Sequence, residues 1–431
     1  MFEKTKIAIN GLLPISPTAR NVGVLATGTA ISQAIPIAIS PILTRLYTPE
    51  EFGAIGLYMA FVAVLSVIAT GRYELAIPLT ATEEEAASIA IFTLKLCATV
   101  SALLYAPIIA FDDFIVQAIG NQDLKVWLYL LPLTVLATGA YNTFQFYYNR
   151  SGRYRQMAEN RVQNSAFTSL SNLLLGIGHV KGGMILGGTI GQTVAALLIG
   201  RGVWRWNKST ISKSDWGKQR QVANRFINHP KHIAPAQLLG AVAQQIPIFL
   251  VGSLFSLTTA GFFSLAYRTV SIPSTLIANA IGDVYRQRIA VAHRENGEFR
   301  GIFTRTLRTT ALISLPPFVI LYVSAPSLFE YVYGATWRIA GEYAQILILA
   351  SFFQFVLTPL DKGAVVMGAT KYIFYWQLTR FIGGLMLIVT AHLNHMSISA
   401  VLWSITSLSL FMYLLDGVIE FHLSGGKNDK R

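Results

Sequence analysis

The stretch GFFSLAYRTVSIPSTLIANAIG, residues Gly261–Gly282, is apolar and long enough to cross a bilayer, yet its first half carries Arg268. A guanidinium keeps its proton there, and placing it at membrane depth costs about 3 kcal/mol or more. Most of its neighbours on a helix are small or hydroxylic: Gly261, Ser264, Ser271 and Thr275. We therefore expect Arg268 to point along a polar stripe into a water-filled cavity between helices.

The composition of the whole chain is that of a membrane protein. Of its 431 residues 53% are hydrophobic and 13% charged, whereas soluble proteins carry about 25% charged residues. The apolar runs are too long, and alternate too little, for the strands of a barrel. The single cysteine, Cys97, lies in such a run, so we expect no disulfide framework and no metal site. No removable signal peptide is predicted at the N-terminus.

We predict an all-α polytopic membrane protein with about 12 transmembrane helices. The spans are expected at residues 22–44, 53–71, 86–110, 126–147, 162–180, 183–201, 233–255, 260–282, 310–330, 342–361, 372–391 and 397–420. With the N-terminus inside, 27 of the 34 Lys and Arg residues fall in cytoplasmic segments and 4 in outside loops. This bias predicts that both termini are cytoplasmic. The basic run at 204–226 is then explained as an orienting linker, and we expect no nucleic-acid partner.

Three short motifs recur in the same order in the two halves of the chain. They are SQAIPI (32–37) with AQQIPI (243–248), TPEEFGAIGLY (48–58) with TTAGFFSLAY (258–267), and FQF at 144–146 and 353–355. An even number of spans separates the copies, so the halves have parallel topology. We predict two six-helix lobes, residues 1–205 and 232–431, joined by a cytoplasmic basic linker at 206–231. Such repeats commonly enclose a binding cavity and rock to give alternating access.

The repeated motif places a glutamine three residues before a proline in each half. Gln33 and Gln244 are predicted to line the cavity, and Pro36 and Pro247 to act as hinges where the helix is weakened. The alternative is that these residues form hydrogen bonds at a packed, kinked helix interface.

Three cations fall inside predicted spans: Lys95, Arg268 and Arg380. No acidic residue lies in the middle third of any predicted span, so we expect a net positive cavity that suits a phosphate or pyrophosphate group. Two alternatives stay open: Lys95 can extend to the interface, and Arg268 can pair with a carbonyl or carboxylate.

Two charged motifs follow the second and eighth spans. Arg72 and Glu74 in one, with Asp283 and Arg286 in the other, are predicted to form a cytoplasmic gate of ion pairs. The alternative is ordinary interfacial charge. The chain lacks a GxxxxGK[ST] loop, so we expect no nucleotide and no cofactor, with a sodium or proton gradient as the candidate energy source.

Four segments carry a family resemblance: LTRLYTPEEFGAIGLY (43–58), RYELAIPL (72–79), AYRTVSIPSTLIANAIGDVYRQRIA (266–290) and YGATWRIAGEYAQIL (333–347). They resemble the bacterial oligosaccharide flippases of O-antigen and exopolysaccharide biosynthesis. That family belongs to the MOP superfamily, with the MATE multidrug exporters and the lipid II flippases. Lipid II flippases typically have two further helices, so the predicted span count favours the oligosaccharide branch.

The resemblance implies two lobes forming a V, open alternately to either side of the bacterial inner membrane. The implied substrate is an oligosaccharide on an undecaprenyl pyrophosphate carrier, moved to the periplasmic leaflet for lipopolysaccharide or exopolysaccharide. By position, Arg268 matches the family's arginine in the eighth helix and Arg45 its arginine at the outer end of the first. Implied partners are membrane lipids and the polymerase and chain-length regulator of the same pathway.

Two other functions were weighed. A MATE-like, ion-coupled exporter of cationic drugs needs a carboxylate deep in the membrane, and no span has one in its middle third. A polymerase or ligase of the same pathway needs a large outside loop, and here only Arg338 in a short loop is a candidate. We therefore expect a transporter and not an enzyme.

Overall fold

The computed structural model describes residues 17–119 and 124–425, and within these ranges every regular element is a helix. The predicted all-α fold is confirmed. Residues 1–16 and 426–431, which include both chain termini, lie outside the described residues. The cytoplasmic location of the termini therefore stays a prediction.

The helices follow the predicted spans closely. The first half contains α1 (Pro17–Leu46), α2 (Pro49–Thr70), α3 (Glu83–Leu103), α4 (Tyr105–Ile119), α5 (Leu124–Leu128), α6 (Leu131–Arg150), α7 (Tyr154–Ile177), α8 (Gly183–Ser212) and α9 (Trp216–Arg225). The second half contains α10 (Ala234–Leu254), α11 (Leu257–Asn296), α12 (Arg300–Tyr333), α13 (Arg338–Leu357), α14 (Gly363–Val366), α15 (Thr370–Leu393) and α16 (Ile398–Leu423). Helix α9 lies in the predicted linker, and the π-helical turn His229–Ile233 runs across its end at residue 231.

Eight helical stretches of the described chain are long and apolar enough to cross a membrane, which makes this a multi-pass membrane protein. The other predicted spans, 126–147, 162–180, 260–282 and 372–391, coincide with helices α6, α7, α11 and α15. These four helices do not meet the same criterion of length and hydropathy. A total of 12 crossings therefore remains a prediction.

Two regions differ from the predicted boundaries. Helix α11 is 40 residues long and ends at Gly297, whose positive φ of 73° lets its N–H reach His293 O. Since α12 begins at Arg300, the predicted cytoplasmic loop 283–309 is a helical hairpin. Charged residues end an apolar run without ending a helix. The third predicted span covers α3 and α4, which are interrupted only at Leu104, three residues before Pro107, whose ring cannot donate to the hydrogen-bond ladder.

Helices at matching positions of the sequence repeat pack in matching pairs. Helix α1 packs on α7 as α10 packs on α15, α3 on α6 as α12 on α13, and α6 on α8 as α13 on α16. Between the halves, α2 packs against α10 and α11. This arrangement supports the predicted parallel repeat.

The two halves approach most closely where α2 and α11 begin. A Cβ atom on Gly53 would lie 1.9 Å from the carbonyl oxygen of Leu257, and one on Gly261 would lie 1.7 Å from that of Pro49. Only glycine allows this backbone contact. Gly53 and Gly261 also correspond in the repeat, so equivalent residues face each other.

Side chains from both halves reinforce this contact. Trp337 is 2% exposed, and its indole N–H donates to Thr44 O at 3.1 Å. Its ring packs edge-on against Phe52, with centroids 4.8 Å apart. The Arg45 guanidinium donates to Val332 O at 3.2 Å, which ties α1 to α12. We call this region, with the two glycines, the closed end; by the predicted orientation it faces the outside.

Candidate functional site

A cavity of about 700 Å³ lies between the two halves, beside the closed end. Helices α1, α2, α6, α7 and α8 line it from the first half, and α10 and α11 from the second. This volume is within the range of small-molecule sites, about 300–1,000 Å³. We call it the central cavity.

Five predicted residues line the central cavity together: Gln33, Pro36, Gln244, Pro247 and Arg268. The sequence repeat brings this about, since α1 and α10 carry the same motif and enter the cavity from opposite halves. Both helices continue through their prolines. The hinge role of the prolines stays a prediction.

Arg268 points into the central cavity and is accessible from it. Among the described residues, its guanidinium has no hydrogen-bond or ion-pair partner. One turn earlier on α11, the hydroxyl of Ser264 also lines the cavity and is buried without a partner. A buried hydroxyl such as that of Ser264 is costly to leave without a partner. The structural ion pair that the sequence left open for Arg268 is not formed among the described residues, and the role of Arg268 in binding substrate stays a prediction.

A second arginine, Arg161, lines the same cavity and was missed by the sequence analysis, which counted it as a cytoplasmic orienting charge. It lies on α7, and its Nη1 donates to Thr29 Oγ1 at 2.6 Å. The sequence feature that could have identified Arg161 as a cavity residue is a stripe of polar residues at helical spacing in the fifth predicted span. That stripe lines the cavity with Arg161, Asn164, Ser165, Thr168 and Asn172.

The central cavity has the predicted positive charge. Its described lining residues include Arg161 from the first half and Arg268 from the second, and no Asp or Glu. Buried oxygens without a partner, at Asn164 Oδ1 and Ser264 Oγ, add polar groups for sugar hydroxyls. The cavity is therefore suited to an anion bearing hydroxyl groups.

Arg380 lies beside the central cavity instead of inside it. It lines a cavity of about 120 Å³ within the second half, together with Gln354, Trp376 and Tyr413. We call this the side cavity. It shares Gln244 and other wall residues with the central cavity, so the two adjoin.

Two predicted binding residues, Lys95 and Arg45, line neither cavity. The Lys95 ammonium donates to Gln219 Oε1 at 3.0 Å and lies 5.1 Å from the Trp216 ring centroid. Both partners belong to α9, a helix that the sequence analysis treated only as a linker. Arg45 contributes to the closed end. Both residues therefore contact protein and not the cavity in this conformation.

We expect Lys95→Gln to change transport by less than about twofold, because an amide can still hydrogen-bond to Gln219 and no charge is removed from the cavity. Polymer yield per molecule of inserted protein is the measurement. A loss as large as that expected for an Arg268 variant would return Lys95 to the binding residues.

The predicted gate residues form ion pairs within their own halves. Arg72 Nη1 lies 3.2 Å from Glu74 Oε1, and Arg286 Nη2 lies 3.7 Å from Asp283 Oδ1. Within residues 17–119 and 124–425, no ion pair joins one set to the other. Arg72 and Glu74 follow the end of α2, and Asp283 and Arg286 lie within the second half of α11, in both cases away from the closed end. Their gating role stays a prediction for a conformation closed at that side.

Known proteins resemble this chain in sequence and in fold. The family described as "Polysaccharide biosynthesis protein" matches residues 42–341. The succinoglycan biosynthesis transport protein ExoT of Rhizobium meliloti (strain 1021) is 20% identical over 412 residues, 89% of this chain and 76% of that protein.

Two solved structures show the same fold at 14% identity. The lipid II flippase MurJ, in an inward closed conformation, aligns with a TM-score of 0.73 over 93% of this chain and 89% of its own. A multidrug resistance MATE family transporter of the MOP superfamily, inward-facing, aligns with a TM-score of 0.72 over 94% of this chain and 100% of its own. The predicted MATE-like fold is confirmed.

Proposed function

Because this chain belongs to the polysaccharide biosynthesis protein family, we propose that it is a flippase for an undecaprenyl-pyrophosphate-linked oligosaccharide. It moves this lipid from the cytoplasmic to the periplasmic leaflet of the bacterial inner membrane. The observation that carries the proposal is the central cavity between the halves, which has two arginines and no carboxylate among its described lining residues. The fold shared with a lipid flippase and the resemblance to a polysaccharide transport protein support it.

The two arginines supply the chemistry for the pyrophosphate. A guanidinium stays protonated and offers paired donors that match phosphate oxygens. Arg161 belongs to the first half and Arg268 to the second, so a pyrophosphate between them binds both halves at once. Amides that line the same cavity, such as Gln33, Gln192 and Gln244, are suited to sugar hydroxyls.

Transport requires a second conformation, in which the closed end is open and the opposite side of the protein is closed. In this conformation the halves meet at the Gly53–Gly261 contact, on the predicted outer side. A rocking motion that opens this contact and closes the opposite side would release the substrate to the periplasm. Pro36 and Pro247 are the proposed bending points, and the gate residues are the proposed contacts of the second state. Polymerase and chain-length-regulator proteins are the proposed partners that then consume the sugar.

Deleting the gene is expected to make the lipid-linked oligosaccharide accumulate on the cytoplasmic side. Mass spectrometry of lipid extracts measures the accumulation, and the mass identifies the sugar unit. An impermeant periodate reagent, applied to intact and to inverted membranes, assigns the leaflet. The control is the same strain carrying the wild-type gene.

A different result would favour the MATE-like exporter. If no lipid-linked sugar accumulates in the deletion strain and a cationic dye does, the flippase proposal is wrong. The positive cavity argues against that result, because two arginines repel a cationic drug.

A further inference from the structure

Helix α16 carries two buried carboxyl groups, Asp416 and Glu420, one turn apart on the same face. They are 7% and 1% exposed, respectively. The predicted span 397–420 ends at Glu420, so the sequence suggests an ordinary interfacial charge. Neither residue lines the central or the side cavity. Their burial needs another explanation.

The Glu420 carboxyl is only half satisfied. Its Oε1 accepts the backbone N–H of Ala364 at 3.0 Å, while Oε2 is buried without a partner. The backbone approaches this oxygen so closely that a Cβ on Gly363 would lie 2.1 Å from it. The hydroxyl of Tyr285, on α11, is also buried without a partner. Tyr285 belongs to an apolar cluster that includes Leu360 and Phe299.

Glu420 makes no ion pair among the described residues, although Lys362 lies near enough for its charge to act on Glu420. Asp416 accepts a hydrogen bond from Tyr372 on α15, and Lys362 pairs with the adjacent Asp361. Other charged or titratable groups on the packed helices include Tyr285 and His293 on α11, Arg300 on α12, which stacks on Phe421, and Arg380 on α15. A buried carboxylate without a counter-ion costs several kcal/mol. Protonation removes this cost and turns Oε2 into a donor.

We propose that Glu420, with Asp416 beside it, is a proton-binding site whose protonation is coupled to transport; the coupling rests on the proposed flippase function. The proton adds to the carboxylate in one conformation and leaves from the carboxylic acid in the other, and no other bond changes.

The side cavity connects this site to the substrate. Met412 and Tyr413, about one turn before Asp416 on α16, line the side cavity with Arg380. The side cavity in turn shares Gln244 and Tyr267 with the central cavity. A change of charge at Asp416 and Glu420 can therefore alter the packing of the helices that line the central cavity. The proton and the substrate need not touch each other.

Infrared difference spectroscopy tests the site directly on the purified full chain, with acidic and alkaline buffer as the two states. We expect a protonated-carboxyl band that shifts in D₂O and is lost in Glu420→Gln. The matched control is Glu342→Gln, which removes an exposed carboxyl on α13 and should leave the band intact. Absence of the band in the wild-type protein overturns the proton site, whatever the variants do.

Coupling is tested in lipid vesicles that contain purified wild-type or variant protein together with the lipid-linked sugar extracted from the deletion strain. An imposed pH gradient should speed its translocation in wild-type and Glu342→Gln vesicles, and at least about tenfold less in Glu420→Gln. An equal response in all three overturns the coupling and leaves the flippase intact. If the deletion strain accumulates no lipid-linked sugar while the infrared band is present, the flippase proposal fails and the proton site stands.

Discussion

Gly261→Ala is expected to open the closed end and to lower transport at least about fivefold. The added Cβ would lie 1.7 Å from Pro49 O, far inside van der Waals contact. The obstacle is the backbone of α2, so no side-chain rotation relieves the clash, and the halves must separate. Overpacking of this kind costs about 1–3 kcal/mol, enough to shift a two-state equilibrium by about 5- to 150-fold.

A cysteine placed in the cavity reports this opening. Ser40→Cys lies on the cavity wall, and the native Cys97 is fully buried, so background labelling is low. In intact cells, an impermeant maleimide should label Ser40→Cys faster when Gly261→Ala is present. The matched control is Gly301→Ala on α12, where an added Cβ meets nothing within 4 Å. Equal labelling rates in both variants would contradict an outward-facing closed end.

The correspondence of the two glycines could be predicted from the sequence repeat, but their contact could not. Two copies of a motif align Gly53 with Gly261, and parallel topology relates them by an axis along the membrane normal. Nothing in either copy says that they lie on that axis. The contact depends on how α2 and α11 pack, which is a non-local property.

Lys95 and Arg161 show the same limit for the site. Lys95 was predicted to lie in the cavity and Arg161 to be an orienting charge. In the structure Arg161 lines the cavity, and Lys95 contacts helix α9 instead. Hydropathy gives the depth of a residue along its span but not the helix that covers its face. Helix α9 covers Lys95, whereas Arg161 begins a stripe that remains uncovered.

The burial of Glu420 was not predicted, for a related reason. At the end of an apolar run, a carboxyl is expected to be in contact with water. The helical hairpin of α11 and α12 extends past that level, and Phe299 N donates to Ser424 O at 2.9 Å. This extension packs around the end of α16 and buries Glu420. Hydropathy averaged along the sequence cannot predict this burial, because it depends on contacts between distant helices.

Arg268→Gln is expected to abolish polymer export while the protein still inserts. The substitution removes the charge and the paired donors, and a charged hydrogen bond contributes about 1.5–3 kcal/mol, or about 10- to 150-fold in affinity. Arg268 has no partner among the described residues, so its removal leaves no buried carboxylate unpaired, and normal protein levels should result. Arg268→Lys should give an intermediate loss, because it keeps the charge without the paired donors.

The measurements for Arg268→Gln are surface polymer and lipid-linked sugar, each normalised to inserted protein. The matched control is Arg338→Gln, an exposed arginine whose ion pair with Glu330 spans 2.6 Å at the closed end. Surface ion pairs contribute little, so this variant should export normally. Arg338 is also the candidate of the polymerase alternative, so lost polymer with sugar already in the outer leaflet would favour an enzyme. Normal polymer in Arg268→Gln would remove Arg268 from the substrate site and leave Arg161 as the charged group to test.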